Sequence, residues 1–132
     1  MGYAAGVGDV FCIPVQYHKQ IGAAGITALA GAEAPCNCRV WRIDANVDVL
    51  AGAVKCTDAD LTVYKSATAL CSAMALVNTS TKKGVVSATL AGTASTLALS
   101  AGDDLNYTIA LTGGTTPTID GLHIRVWCIR EN

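Results

Sequence analysis

An all-β fold, a β-sandwich or jelly roll of about seven to eight short antiparallel strands with an extended N-terminal arm, is predicted by three observations. Apolar and polar residues alternate from Trp41 to Val49. Trp41, Ile43, Ala45, Val47 and Val49 take the odd positions, and Arg42, Asp44, Asn46 and Asp48 the even ones. Strand side chains point to opposite faces with period two, so one face of this segment is buried and the other is wet or meets a partner. The same alternation returns near the C-terminus, in residues 104–112 and 122–130. Clusters of turn-forming residues separate such segments at spacings of about 8–12 residues, the rhythm of a sandwich.

The elements follow in chain order. Residues 1–8 are rich in Gly and read as a mobile tail. Val10 to Tyr17 forms a first extended segment with Phe11, Ile13, Val15 and Tyr17 on one side. Pro14 removes a backbone donor there, which suits an edge strand or a strap laid across a neighbour. Residues 22–35 are almost all Gly, Ala and small apolar side chains, and read either as a short helix over 23–30 or as an ordered loop, since the glycines weaken a helix. Residues 1–37 are therefore expected as a Gly/Ala-rich extended arm, and 38–132 as the sandwich domain. Within it strands are expected over 38–50, 59–64, 73–78, 85–91, 95–100, 104–112 and 122–130. Turns are expected at 57–58, 79–84, 92–93, 101–103 and 113–117. Residues 65–72 read as a loop or a helical turn. In the last strand Leu122, Ile124, Val126 and Cys128 face one way and His123, Arg125, Trp127 and Ile129 the other. The tripeptide Arg-Val-Trp occurs at Arg39–Trp41 and again at Arg125–Trp127. Both segments need strand formers, so convergence explains the repeat better than duplication.

Composition sets the limits. The 132 residues suit one domain, or one domain with an arm. Apolar residues make up 52% of the chain but aromatics only 5%, so the core is built from Ala, Val and Leu. Such side chains each bury little area, at roughly 25 cal/mol per Å². With only 14% charged residues, some apolar surface is expected to be covered by other subunits. The net charge of −1, with scattered Lys and Arg, offers no stripe for nucleic acid. No secretory signal and no run near the ~18 apolar residues of a membrane span is present, which predicts no membrane partner and synthesis in a cytoplasm. Without secretion, the six cysteines are expected as reduced, mostly buried thiols.

Chemistry-bearing patterns are weak. Cys36-x-Cys38 with His18 or His123 falls short of the paired ligand clusters of a zinc site. Asp58 with Asp60 and Asp103 with Asp104 read as turn residues rather than calcium ligands. No Gly-x-Ser-x-Gly elbow exists, and Thr112-Gly113-Gly114-Thr115 lacks the Lys and spacing of a phosphate loop. Cys12 or Cys128 with His18 or His123 is a nucleophile–base pair only if the fold joins them. Two N-x-Ser/Thr patterns, at Asn78 and Asn106, are idle without secretion. No enzyme activity, metal or cofactor is expected. Trp41 and Trp127 have apolar strand neighbours and are expected in the core rather than on a sugar-binding face.

The chain resembles the small capsid decoration (cement) proteins and head-fibre modules of tailed bacteriophages. The likeness lies in residues 38–132. It rests on the Trp-containing strand 39–49, the small-residue hairpin 85–99, and the block Leu97-x-Leu99-Ser-Ala-Gly-Asp-Asp-Leu105. Gly113-Gly114-Thr-Thr-Pro117 and the terminal strand 121–130 complete it. The resemblance implies a structural virion protein, a homotrimer that binds the major capsid protein on the outer surface of an icosahedral capsid and stabilises it. The arm would lie on the capsid or on a neighbouring trimer by adding an edge strand, with Val10, Phe11, Ile13, Val15 and Tyr17 as the partner-binding residues. The alternative is a carbohydrate-binding or host-adhesion β-sandwich module, which requires at least one Trp exposed in a groove.

Overall fold

A computed structural model describes residues 9–22, 24–50, 56–79, 81–113 and 117–131. The expected tail at residues 1–8 lies outside them. The elements in chain order are β1 (Val10–Ile21), β2 (Ile26–Glu33), β3 (Cys38–Leu50), β4 (Cys56–Lys65), β5 (Thr68–Ala69), β6 (Met74–Asn78), β7 (Thr81–Lys82) and β8 (Val86–Ser87). The single helical turn α1 (Ala94–Leu97) and β9 (Ala98–Leu99), β10 (Asp104–Gly113) and β11 (Ile119–Arg130) follow. They form two antiparallel sheets. The first runs β1-β11-β3-β8, with β9 also on β3. The second runs β2-β10-β4-β6-β7, with β5 on β4.

Taking β8 and β9 as one broken strand, the chain visits the sheets in the alternating order of a jelly roll. The expected all-β sandwich is the fold observed. The expected arm is not. Residues of β1 pair with β11 from Val10↔Ile129 to Ile21↔Ile119, and β2 pairs with β10 from Asp104↔Glu33 to Ile109↔Ile26. Residues 10–33 thus supply one strand to each sheet, and a boundary at 37/38 would cut through both. β1 is an edge strand, as Pro14 requires. The segment expected as helix or loop is β2. Its small apolar residues suit a strand as well as a helix, and the partner β10 decides. The stretch 95–100 begins as the turn α1 before the two-residue β9, and 85–91 contributes only β8 and an isolated bridge from Leu90 to Cys71.

The core lies between the sheets. Ile13, Val15, Ile43, Ala45, Val47, Leu122, Ile124 and Val126 come from the first, and Ala59, Leu61, Val63, Leu76, Leu105, Tyr107 and Ile109 from the second. The buried side chains are mostly Ile, Leu and Val rather than Ala, so stability rests on many aliphatic burials rather than a few aromatic ones. The expected turn at 101–103 forms, and the Asp103 carboxylate accepts from the Ser100 N–H at 2.8 Å.

The β1–β2 connection passes close against β10 at one point. Gly25 has φ +66°, and a Cβ there would press into the backbone carbonyl oxygen of Ile109. Gly102 also has positive φ, +88°, but faces open space. Gly25→Ala is expected to cost roughly 1–3 kcal/mol in urea denaturation, and Gly102→Ala less, because it carries only the backbone term. Equal midpoints for the two variants would contradict this packing.

Candidate functional site

β3 and β11 form a continuous ladder, from Ile119↔Leu50 to Arg130↔Cys38, broken once. Trp127 pairs with Arg42, but Cys128 pairs with Val40, so Trp41 is the extra residue of a β-bulge. The bulge reverses the alternation. Ile43, Ala45 and Val47 point inward on one side of it, and Val40 and Cys38 point inward on the other. Trp41 and Arg42 are left outside in succession. Trp41 is 44% exposed, which corrects its expected place in the core. Trp127, also expected in the core, is half-buried on the same outer face.

The two indoles meet there, with ring centroids 6.5 Å apart and planes tilted by 52°. Beneath them lies Asp44, the one buried charged residue among those described, at 4% exposure. Its carboxylate is fully engaged. Arg125 Nε donates to Oδ1, Trp127 Nε1 donates to Oδ2 at 3.0 Å, and Arg42 Nε lies 3.1 Å from Oδ2. Arg125 Nη2 donates to Asn46 Oδ1 at 2.9 Å, which extends the network along β3. A buried carboxylate is tolerable only when paired and hydrogen-bonded, and here three donors meet that condition. Val10, Trp41, Arg42, Asp44 and Trp127 line a shallow cleft of about 270 Å³.

The residues expected to touch a partner are largely elsewhere. Ile13 and Val15 are buried in the core, and Phe11 and Tyr17 pack against it. Their shared side is real, but it is the inward side. Val10 alone of the five is exposed, and it borders the Trp cleft.

The Cys–His pairings do not assemble. Cys128 faces the core while His123 faces outward, where its Nε2 lies 2.9 Å from Asp48 Oδ2. Cys12 pairs with Trp127 and Gln16 with His123, which separates Cys12 from His123 by roughly 13 Å along the strand. The His18 side chain lies outside the described residues. Cys36 and Cys38 lie near Cys128 instead, close enough for the three thiols to influence one another's ionisation. This cluster was not read from the sequence, since only strand pairing brings the two chain ends together.

All six cysteines are free thiols, with Cys38, Cys56, Cys71 and Cys128 buried and Cys12 and Cys36 half-buried. Burial pushes the Cys38, Cys56, Cys71 and Cys128 thiols up, Cys128 most strongly. Comparison with family models, with curated proteins and with solved structures returned no match.

Two outcomes follow from this geometry. Asp44→Ala leaves the Trp127 N–H and two guanidinium groups without their acceptor. It is expected to cost about 1–3 kcal/mol in urea denaturation, with Asp44→Asn falling between it and the parent. For the thiols, the folded state holds protons that the unfolded chain releases above the ordinary value of 9.0. Stability is therefore expected to fall as pH rises past about 9, and alkylation of the native protein followed by mass spectrometry to mark Cys36 well before the four buried thiols. Equal labelling of all six in the native state would contradict their burial.

Proposed function

We propose that the protein is a structural virion component that binds the outer surface of an icosahedral capsid as a homotrimer and stabilises the shell. The observation that carries this reading is the strand order, because the eight-position jelly roll is an architecture of viral capsid and lectin domains. One further feature supports it. The outer face of the first sheet carries the exposed apolar residues Trp41 and Val10 beside one another at a cleft, a surface that a docked partner would cover. Docking would be multivalent: a contact too weak to hold one subunit is repeated three times per oligomer and many times over the shell. The major capsid protein is the partner in this reading, and the virion exterior the location.

Residues 10–33 pair within the two sheets, so this reading places attachment on the folded surface rather than on an arm spanning residues 1–37. Removing residues 1–37 would take a strand from each sheet and unfold the protein rather than merely release it. Light scattering on a size-exclusion column is expected to give three times 13.5 kDa. The trimer is expected to co-sediment with heads of a tailed phage stripped of their decoration. A monomer that stays in the supernatant would overturn the proposal.

A further inference from the structure

The Trp41–Trp127 cleft is built in a way that an apolar patch alone does not require. Three properties stand out. The first is rigidity. Trp127 is tied through Nε1 to Asp44, Arg42 and Arg125 hold the same carboxylate, and Asp44 is nine-tenths buried beneath them. The second is shape. Two indole faces tilted by 52° make a notch rather than a flat pad, and its volume of about 270 Å³ lies near the lower end of small-ligand sites, roughly 300–1,000 Å³. The third is polarity. Both Asp44 oxygens already accept from Arg125, Trp127 or Arg42, and the residue is 4% exposed. Arg42 lies 3.1 Å from Asp44 Oδ2 through Nε, and its side chain is 47% exposed at the cleft.

A ligand complementary to this site has an apolar face to lie on an indole and oxygen acceptors around its edge to meet the guanidinium. A pyranose ring has both: axial C–H groups on one face and hydroxyl oxygens at the rim. A nucleic-acid base would also stack, but no positive stripe leads to the cleft to hold its phosphates, and the chain carries a net charge of −1. An alkyl chain would use the rings and ignore the fixed donors. We propose that Trp41, Trp127 and Arg42 form a saccharide-binding site on the outer face of the first sheet. Trp41 supplies the stacking face, Trp127 the second wall, and Arg42 the donors. The spare positive charge of Arg42 and Arg125 over the single Asp44 favours a sugar that carries a carboxylate. This assignment does not rest on the capsid reading, because a module of either origin would bind sugar at the same place.

The test uses the full chain. Its two tryptophans are both in the cleft, so the whole indole emission reports on the site. Titration with methyl glycosides of glucose, galactose, N-acetylglucosamine and glucuronic acid is expected to give a saturable change in emission for at least one. The glucuronide is expected to bind more tightly than its neutral counterpart. Kd values near millimolar suit a single shallow ring site, about −4 kcal/mol. Trp41→Ala is expected to weaken binding at least tenfold while the protein remains folded with a cooperative urea transition, because Trp41 lies outside the core. Trp41→Tyr is expected to restore part of the affinity. Absence of a saturable change with every glycoside would overturn the proposal. So would a light-scattering mass that drops on Trp41→Ala, which would assign the cleft to contact between copies of the chain.

Discussion

The Asp44 carboxylate is the point on which the outer face of the first sheet depends. A charge at 4% exposure costs several kcal/mol unless partners replace its water. Here the replacements come from two strands: Arg42 from β3 itself, and Arg125 and Trp127 from β11. The carboxylate therefore reads the β3–β11 register. A slip of one residue would turn Arg125 and Trp127 to the core and leave Asp44 buried with Arg42 as its remaining partner. Many of the other interactions in this sheet follow from that register. Leu122, Ile124 and Val126 face inward because Arg125 and Trp127 face outward, and β1 then pairs onto the free edge of β11.

The buried Ile, Leu and Val side chains decide which face of each strand turns inward. Polar pairings on the outer face add to that. His123 with Asp48, Arg125 with Asp44 and Asn46, and the Lys82 amine on the Asp48 carbonyl all mark positions along β3. The Ser100–Asp103 turn is fastened in the same way: the Asp103 carboxylate accepts from Ser100, and Asn37 Oδ1 accepts from Ala101. Polar groups thus add to the register, and apolar ones supply the burial.

The division explains which features were legible in the sequence. β3, β10 and β11 show clear alternation, because one face of each meets the core along its length, and their bounds were readable to within a few residues. β2 was not legible. Its run Ile26-Thr-Ala-Leu-Ala-Gly-Ala-Glu33 has too few large residues to show a period, and only pairing with β10 makes it a strand. The same is true of the arm as a whole, since Gly and Ala look alike in a tether and in a tightly spaced sheet. Short pieces such as β8 and β9 are determined by their contact with β3 rather than by their own residues. At the site, the recurrence of Arg-Val-Trp pointed to two Trp on neighbouring strands, and the rings do meet. Their side of the sheet was not readable, because period-two reasoning assumes an unbroken ladder, and a bulge is a property of two strands.

The bulge is also what makes the cleft possible. In a regular strand, successive residues face opposite ways, so Trp41 outside would place Arg42 inside. A face built on strict alternation can show the ring or the guanidinium at adjacent positions, but not both. One extra residue in β3 removes that restriction and sets an aromatic face beside a fixed donor at the distance of neighbouring residues. It does so without disturbing the core, because Val40 and Cys38 resume the inward positions that an unbroken alternation would have given to Trp41 and Arg39. The insertion thus leaves burial almost unchanged and alters only what the sheet presents to its surroundings. Its effect therefore falls on the outer face, where Trp41 and Arg42 stand side by side.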